Sequence, residues 1–406
     1  AAGVNTNERG ILVQGGYTLA ASGDITLDGT SKSSEGIAFG GTINVTGTNS
    51  KLTIKGTTAA SSNGGLNGVN FSGTINNNGT STQPITIIGE AKTLTGSNPD
   101  TGVSVSGAIN SGSADVEVLG KAASTAQTGV NTSSSGSITS TGTAATINIT
   151  STGNLVNSAA LKVTGATGTG ANINLNASSG NISGTGAIGD TTNKNANVTF
   201  TQSGTGSNGI SNYSGAINAA NFTKLGTGAL TLDSWALATP VATNISNAYT
   251  VKDGGTLTLS TTPPPQTTYA QLNPANVNVE NASTFAITSS SFGWWKNTAF
   301  NFTGGLGSGT MSLGGNPIGQ NGTTNTINTS GGSTNTISGV FNANYADINF
   351  NLTPASSGTT LVGGGLAALA FTQSSSTYGV GSGGGGATTI NMSGGGNLLI
   401  KNKFRA

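Results

Sequence analysis

A short sequence motif that begins with glycine and an aliphatic β-branched residue occurs five times in the first part of the chain. The copies begin at Gly10-Ile11, Gly36-Ile37, Gly68-Val69, Gly102-Val103 and Gly129-Val130, at intervals of 26, 32, 34 and 27 residues. A repeat of this length is typical of a solenoid, in which one repeat cannot bury its own apolar face and stacks on its neighbours. The repeat therefore favours a stacked fold over an ordinary compact domain.

Within each repeat, apolar residues alternate with small polar ones. The runs Ile37/Phe39 and Leu52/Ile54 show this period of two within one repeat. Such a period indicates a short strand with one buried face, and the Gly, Asn, Ser and Thr between the runs favour turns over helix. Three strands and three turns per repeat predict an all-β fold, a right-handed parallel β-helix with protruding loops.

Two other structures share part of this pattern. A propeller or sandwich also has short strands, but these are typically joined by two-residue hairpin turns, and the connections here are longer. Disorder would suit a chain with 66 Gly among 406 residues and 7% charged residues. Disordered chains usually carry high net charge and lack apolar periodicity, whereas this chain has a net charge of +1 and a regular apolar face.

The composition excludes several kinds of chemistry. The chain has no Cys and no His, which removes disulfides, thiolate or imidazole metal ligands and a Ser/His/Asp triad. Its 14 basic and 13 acidic residues are scattered, apart from Lys401, Lys403 and Arg405, so nothing indicates a nucleic-acid partner. No run approaches the length of a membrane-spanning apolar segment. We expect no catalytic residue, no cofactor and no metal.

Paired carboxylates would indicate a β-helix that cleaves polysaccharides. The nearest candidates are Asp24 with Asp28 and Asp115 with Glu117. Asp115 and Glu117 share the outward face of one predicted strand, because the apolar residues that alternate with them face inward. A solvated surface is the favoured interpretation of both pairs, and an enzyme is the least favoured function.

Asn recurs directly after a buried aliphatic residue in many predicted strands. The positions include Asn44, Asn76, Asn110, Asn148, Asn174, Asn218, Asn328, Asn349 and Asn391. Amides stacked in register can hydrogen-bond along the axis of the solenoid, and we expect such a ladder at Asn44, Asn76, Asn110 and Asn218. The alternative is that each of these residues is an ordinary outward-facing polar side chain.

Residues 222–259 contain a different sequence motif. It reads Phe222-Thr-Lys224-Leu-Gly226-Thr-Gly228-Ala-Leu230-Thr-Leu232, and Tyr249 and Gly255-Thr-Leu257-Thr-Leu259 follow. This resembles the passenger-associated repeat of autotransporters, in which a Lys-x-Gly-x-Gly-x-Leu-x-Leu strand precedes a Tyr and a Gly-x-Leu-x-Leu strand. The insertion at 234–246 departs from that pattern, and we expect a protruding loop there.

The glycine-led repeats carry a second resemblance. Together with Ile173-Asn174-Leu175-Asn176 and Gly180-Asn181-Ile182-Ser183, they resemble haemagglutinin-type exoproteins of two-partner secretion, including the high-molecular-weight adhesins. The two resemblances imply a β-helix that is exported by an outer-membrane secretion partner and resides outside the cell or on its surface. They specify architecture and secretion class more closely than function.

Residues 261–302 interrupt the repeats. The prolines at 263–265 cannot donate to a strand ladder, which predicts an extended excursion from the solenoid. We therefore divide the chain into a regular body at 1–260, an excursion with an aromatic loop at 261–302 and C-terminal coils at 303–406.

Aromatic residues cluster towards the end of this excursion, in a chain with only 5% aromatics. Exposed Trp and Tyr side chains can stack on a sugar or anchor a protein. Trp294, Trp295, Tyr269 and Trp235 are the predicted contacts to a ligand or partner. The alternative is that the adjacent Trp residues cover an open face of the solenoid.

Two functions follow from these features. The first is a secreted bacterial adhesin, whose stiff body holds the loops 234–246, 261–274 and 289–299 towards a glycan or protein on a host or neighbouring cell. The second is a structural subunit that self-associates end to end into an extracellular filament or sheath, since a head-to-tail contact propagates indefinitely.

Overall fold

The structure is a computed structural model of the 406-residue chain. It describes residues 9–58, 66–78, 81–92, 100–165, 170–189, 196–203, 210–233, 244–260, 270–272, 275–280, 282–287, 293–295, 297–304, 310–313, 318–319, 324–331, 334–339, 347–353, 359–362, 388–392 and 397–400. The chain divides into two compact units, Ala1–Ala220 and Asn221–Ala406. Every regular element in the described ranges is a β-strand.

The strands of the first unit are short, as expected from the alternating runs. They are β1 (Ile11–Val13), β2 (Thr18–Ala21), β3 (Ile25–Ser31), β4 (Ile37–Phe39), β5 (Thr42–Val45), β6 (Leu52–Thr58), β7 (Asn67–Phe71), β8 (Thr74–Asn77), β9 (Ile85–Ala91), β10 (Thr101–Val105), β11 (Ala108–Asn110), β12 (Val116–Lys121), β13 (Thr128–Thr132), β14 (Ser137–Ser140), β15 (Thr146–Ser151), β16 (Asn154–Asn157), β17 (Ala160–Val163), β18 (Asn172–Ala177), β19 (Ile182–Ser183), β20 (Ile188–Gly189), β21 (Asn197–Gln202) and β22 (Ile210–Tyr213).

Further along the chain, the same kind of strand continues. The strands are β23 (Ile217–Leu225), β24 (Ala229–Leu232), β25 (Asn244–Val251), β26 (Thr256–Leu259), β27 (Ala270–Leu272), β28 (Asn276–Glu280), β29 (Thr284–Ile287), β30 (Gly293–Trp295), β31 (Ala299–Gly304), β32 (Thr310–Leu313), β33 (Ile318–Gly319), β34 (Thr324–Gly331), β35 (Thr334–Gly339), β36 (Asp347–Thr353), β37 (Thr359–Val362), β38 (Thr388–Met392) and β39 (Asn397–Ile400).

In the first unit, strands at equivalent positions of successive coils pair in parallel. Three stacks result: a first face of β1-β4-β7-β10-β13-β16-β19, a second face of β2-β5-β8-β11-β14-β17-β20 and a third face of β3-β6-β9-β12-β15-β18-β21. Three strands per coil, stacked in parallel, are the architecture that the repeat predicts. The predicted parallel β-helix, an all-β solenoid, is confirmed.

The inward aliphatic residues form continuous columns inside this stack. Ile43, Ile75 and Ile109 lie one over the next in the parallel register of the second face, and the column continues through Ile138 and Leu161. All five side chains are fully buried. Burial of a side chain of this kind stabilises a fold by about 1.5–3 kcal/mol, so each coil gains stability from both neighbours.

Stacked aromatic rings add to the core on the first face. Phe39 and Phe71 occupy paired positions of β4 and β7, and their ring centroids lie 5.6 Å apart with planes inclined by 10°. Both side chains are buried. This arrangement follows from the repeat, because residues at the same position of successive coils stand directly above one another.

The recurring glycines mark places where two faces of the first unit meet closely. One glycine of each pair lies in a third-face strand, and the other opens the first-face strand of the following coil: Gly56 with Gly68, Gly89 with Gly102, and Gly120 with Gly129. A Cβ atom on the third-face glycine would overlap the carbonyl oxygen of its partner in all three pairs. These positions therefore need glycine because the backbones approach each other, and not because they turn.

The fifth repeat has a polar residue, Thr132, at an inward position. Its hydroxyl donates to Asn157 Oδ1 at 2.7 Å, and Asn157 Nδ2 donates to the Tyr213 hydroxyl at 2.8 Å. That hydroxyl donates in turn to the Gly186 carbonyl, and the Tyr213 ring meets Phe200 edge to face. Because buried polar groups are tolerated when they are hydrogen-bonded, this network accommodates Thr132 and Asn157 inside the stack.

The second unit has its own parallel stacks. They are β24-β26-β29-β32-β35-β37-β39, β25-β28-β31-β34-β36-β38 and β27-β30-β33. In its core, Leu230, Leu257 and Phe285 stand in register, and Tyr249 lies between Phe222 and Phe285 with centroid distances of 6.0 and 6.3 Å. The proposed division at residues 260 and 302 stays a prediction.

Candidate binding surface

The predicted aromatic contacts fall largely outside the described residues. Tyr269 and Trp235 lie outside them altogether. Trp294 and Trp295 belong to the strand β30, in parallel register with Gln271 and Leu272 of β27 and with Ile318 and Gly319 of β33. Only the backbone is described there, so the contact role of these four residues stays a prediction.

Outward-facing amides form a column on the second face of the first unit. Asn76 Nδ2 donates to Asn44 Oδ1 at 3.1 Å, and Asn110 Nδ2 donates to Asn76 Oδ1 at 3.0 Å. The three residues are paired in register across β5, β8 and β11. The column ends at Thr139, the residue that pairs with Asn110 in the next coil.

Asn218 does not continue this column. It pairs with Gly189 of β20, which has no side chain to hydrogen-bond. Asn218 itself is buried, unlike the outward-facing Asn44. The sequence phrase Ala-Ile-Asn is the same at 108–110 and 216–218, so the difference comes from the coil next to each residue and not from the phrase itself.

A larger polar surface lies on the third face, where β15, β18 and β21 stack. Each strand presents three outward residues, and all nine are Asn or Thr: Thr146, Asn148, Thr150, Asn172, Asn174, Asn176, Asn197, Thr199 and Thr201. The strands pair in unbroken register, so the nine residues form three columns of three. We call this surface the Asn/Thr array. All nine residues are partly exposed.

The amides of the array are linked along the columns. Asn174 Nδ2 donates to Asn148 Oδ1 at 2.7 Å, and Asn197 Nδ2 donates to Asn172 Oδ1 at 3.2 Å. A side-chain amide has two N–H donors and an oxygen with two lone pairs. A column bond uses one donor of Asn174, which leaves its second N–H for another partner. The array can therefore offer hydrogen bonds outward while its own side chains are held in place.

Sequence reasoning noticed the Asn residues but not the array. Asn148 and Asn174 belong to the recurring amides of the sequence, whereas Thr enters the sequence analysis only as a residue that favours turns. The signal that could have found the array is the pattern Thr-Ile-Asn-Ile-Thr, Asn-Ile-Asn-Leu-Asn and Asn-Val-Thr-Phe-Thr in consecutive coils. Every second residue of these runs faces outward.

The second unit carries a similar column. Asn278, Asn301, Asn328, Asn351 and Asn391 are paired in register across five successive strands. Asn301 Nδ2 donates to Asn278 Oδ1 at 2.9 Å, and Asn328 Nδ2 donates to Asn301 Oδ1 at 2.8 Å. Neutral amide columns are thus a property of both units.

The candidate carboxylate pairs are engaged in contacts that support the coils. Asp24 accepts a hydrogen bond from the Lys51 backbone N–H at 2.9 Å, and Asp115 accepts one from the Thr146 N–H at 2.7 Å. Asp28 lies 3.5 Å from Lys55 in an exposed ion pair. Among the described residues no three acidic side chains converge into a possible metal site. These contacts link Asp24, Asp28 and Asp115 to neighbouring coils.

A lysine lies inside the second unit, at the start of the Lys-x-Gly-x-Gly phrase. The Lys224 side chain is fully buried, and its ammonium donates to the carbonyls of Leu225 at 2.7 Å and Gly226 at 2.8 Å. Gly255 leaves room for it, since a Cβ there would lie 3.0 Å from Nζ. Burial lowers the Lys224 pKa to about 8, and the nearby Asp253 carboxylate partly opposes this. The Lys224 ammonium therefore satisfies two backbone carbonyls of the adjoining turn from inside the unit, which we call its internal-cap role.

We expect the stability of the wild-type chain, measured against Lys224→Met, to rise by about 2–3 kcal/mol between pH 8 and pH 10. The Lys224 pKa is lowered in the folded state, from 10.5 to about 8, so the folded chain binds fewer protons than the unfolded chain over this range. Urea midpoints at pH 7, 8, 9 and 10 measure the difference.

The same series with Lys252→Met provides the control, since that lysine is partly exposed and its removal should leave the rise intact. Burial raises the pKa of Tyr213 and Tyr249, so stability falls above pH 10 in every variant alike. Identical pH profiles for the wild type and Lys224→Met would contradict the internal-cap role.

Comparisons with known proteins give no relative. No known protein family matches the chain, and no curated protein or solved structure is significantly similar to it. In the part of the chain that the structure describes, no helix has the length and apolar character needed to cross a membrane. The class defined by these features is a β-solenoid that carries in-register columns of neutral polar side chains.

Proposed function

We propose that this chain is part of a secreted bacterial exoprotein that acts as an adhesin at the cell surface. The observation that carries the proposal is the set of in-register Asn and Thr columns on the outside of stacked coils. A packed aliphatic interior keeps such a surface rigid, so side chains on it are already ordered before a ligand arrives. Pre-ordering of this kind reduces the entropy cost of binding.

The sequence resemblances add the cellular setting of the proposal. Export through an outer-membrane partner would deliver the chain outside the cell, where a glycan or protein of a host or neighbouring cell is the ligand class. Trp294, Trp295, Tyr269 and Trp235 remain proposed additional contacts. The absence of disulfides is compatible with this setting, because strand ladders and stacked side chains stabilise each coil.

Fluorescent beads coated with the 406-residue chain should adhere to cultured epithelial cells or to a bacterial biofilm several-fold more than beads coated with albumin. Beads coated with heat-denatured chain are the matched control, because they carry the same composition without the ordered faces. Equal adhesion of folded and denatured coatings on both targets would rule out the adhesin.

The alternative is a filament or sheath subunit that stacks end to end. Its support is that the ladder hydrogen bonds run between coils, since an unpaired strand edge can form the same hydrogen bonds with a second molecule. Negative-stain images of the same bead-coating preparation distinguish the two functions. Discrete particles of one size favour the adhesin, and long uniform fibres favour the filament.

A further inference from the structure

We propose that the Asn/Thr array on β15, β18 and β21 is a binding surface for an extended, neutral polysaccharide. This proposal rests on the proposed adhesin function and names the surface and the ligand class. The array is the largest continuous set of identical chemistry on the described faces of the first unit. On the second face, by comparison, Ala108, Ala160 and Lys162 interrupt the outward columns.

The spacing of the array fits a ligand that repeats. Neighbouring strands in a sheet lie about 4.8 Å apart, and alternate residues of one strand lie about 6.6 Å apart. The pairing of β15 with β18 and of β18 with β21 has no register shift over six residues each. Hydroxyls and amides therefore recur at fixed translations, and a polymer with recurring hydroxyls can satisfy several coils at once.

The charge of the array selects a neutral ligand. None of its nine side chains is ionisable. In the neighbouring strand β12, Glu117 pairs in register with Asn148 and the Asp115 carboxylate accepts from the Thr146 N–H, whereas the cation of that strand, Lys121, lies beyond the last residue paired with β15. A polymer that carries carboxylates or sulfates would therefore meet the two carboxylates where it crosses the edge of the array. Hydroxyl groups match amides and hydroxyls in both donor and acceptor capacity.

The strength of binding should depend on ligand length. One intermolecular hydrogen bond contributes only about 0.5–1.5 kcal/mol net, because it replaces bonds to water. Several such bonds along one polymer act together, since each further contact is intramolecular once the first has formed. A disaccharide should therefore bind too weakly to detect under conditions in which the long polymer is retained.

The test measures binding of the full chain to immobilised glucomannan, dextran and laminarin by biolayer interferometry. One triple variant removes the middle column of the array: Asn148→Ala, Asn174→Ala and Thr199→Ala. The matched control removes three outward residues that are paired in register on the first face, again two amides and one hydroxyl: Asn70→Ala, Ser104→Ala and Asn131→Ala. Circular dichroism and urea midpoints verify that both variants fold.

We expect the wild type to bind at least one of the three polysaccharides, the array variant to bind it at least tenfold more weakly, and the control variant to stay within about twofold. A tenfold loss corresponds to about 1.4 kcal/mol, which three removed side chains can supply. Polygalacturonate, an extended anionic polymer, should bind more weakly than the neutral one, and raising the salt concentration should leave neutral binding unchanged.

Three results would overturn the proposal: no binding to any of the three polysaccharides, equal losses in the two variants, or stronger binding of polygalacturonate. Sedimentation velocity tests whether a second copy of the chain binds the array instead of a polysaccharide. If the wild type forms dimers and the array variant does not, the array is a dimer interface. The result of this polysaccharide test can be distinguished from the result of the bead-adhesion test of the adhesin. Beads that adhere without polysaccharide binding reject only the array, and polysaccharide binding without bead adhesion rejects only the adhesin.

Discussion

Replacement of Gly89 by alanine is expected to destabilise the first unit by about 3 kcal/mol or more. The added Cβ would overlap the carbonyl oxygen of Gly102, a backbone atom that cannot rotate away. Relief requires the third-face strand to separate from the first-face strand of the next coil. Because a solenoid is stabilised by contacts between neighbouring coils, the damage extends to the coils on both sides. Urea unfolding followed by circular dichroism measures the change.

Gly23→Ala is the matched control for this substitution. No atom lies within 4 Å of a Cβ added at Gly23, and its backbone is not left-handed. Its stability should stay within about 0.5 kcal/mol of the wild type. If Gly89→Ala unfolds at the same urea concentration as Gly23→Ala, the close approach of the two faces is not a determinant of stability.

Truncation of Phe71 to alanine should cost about 3–5 kcal/mol, the range found when a buried aromatic side chain leaves a cavity. Phe71 is fully buried, and its ring stacks on Phe39 at 5.6 Å. Loss of the ring removes a contact to the preceding coil as well as buried apolar area. The shift of the urea midpoint measures the cost, provided that the slope of the unfolding transition stays unchanged.

Tyr17→Ala separates this effect from the general loss of an aromatic ring. Tyr17 lies in the same unit but is 65% exposed, so its removal should alter the free energy of unfolding by no more than about 0.5 kcal/mol. Comparable destabilisation by the two substitutions would show that the Phe39–Phe71 stack does not contribute as the geometry indicates.

The two substitutions probe the rigidity on which both proposed functions depend. An outward column of Asn and Thr keeps its spacing only while the inward residues hold successive coils in register. A variant such as Phe71→Ala should therefore loosen the outward residues of neighbouring coils as well. The packed apolar interior therefore fixes the positions of the outward polar side chains, and these fixed positions give the surface its specificity.

The architecture could be predicted from local patterns. The alternation of Ile43 with Asn44 places one residue inside and the next outside, and that alternation is a property of any strand. The interval between repeats then fixes the number of strands per coil. Tyr213 and Thr132 show the limit of this reasoning, because both hydrogen-bond to Asn157 and the three residues belong to different coils.

Lys224 illustrates the same limit at a single residue. Strand alternation places it inward between Phe222 and Gly226, where a sequence-based interpretation expects an apolar side chain. Only the neighbouring turn, with its carbonyls at Leu225 and Gly226 and the space beside Gly255, explains how the ammonium is accommodated.

The sequence by itself determined that this chain forms parallel coils of three strands, since the repeat length and the two-residue period are local properties. The tertiary structure decided which polar residues stand above one another. Asn110 continues a column and Asn218 does not, although both follow Ala-Ile, because Asn76 lies beside the first and Gly189 beside the second. The register between coils depends on connections of unequal length, so the outward surface emerges only when the coils are stacked.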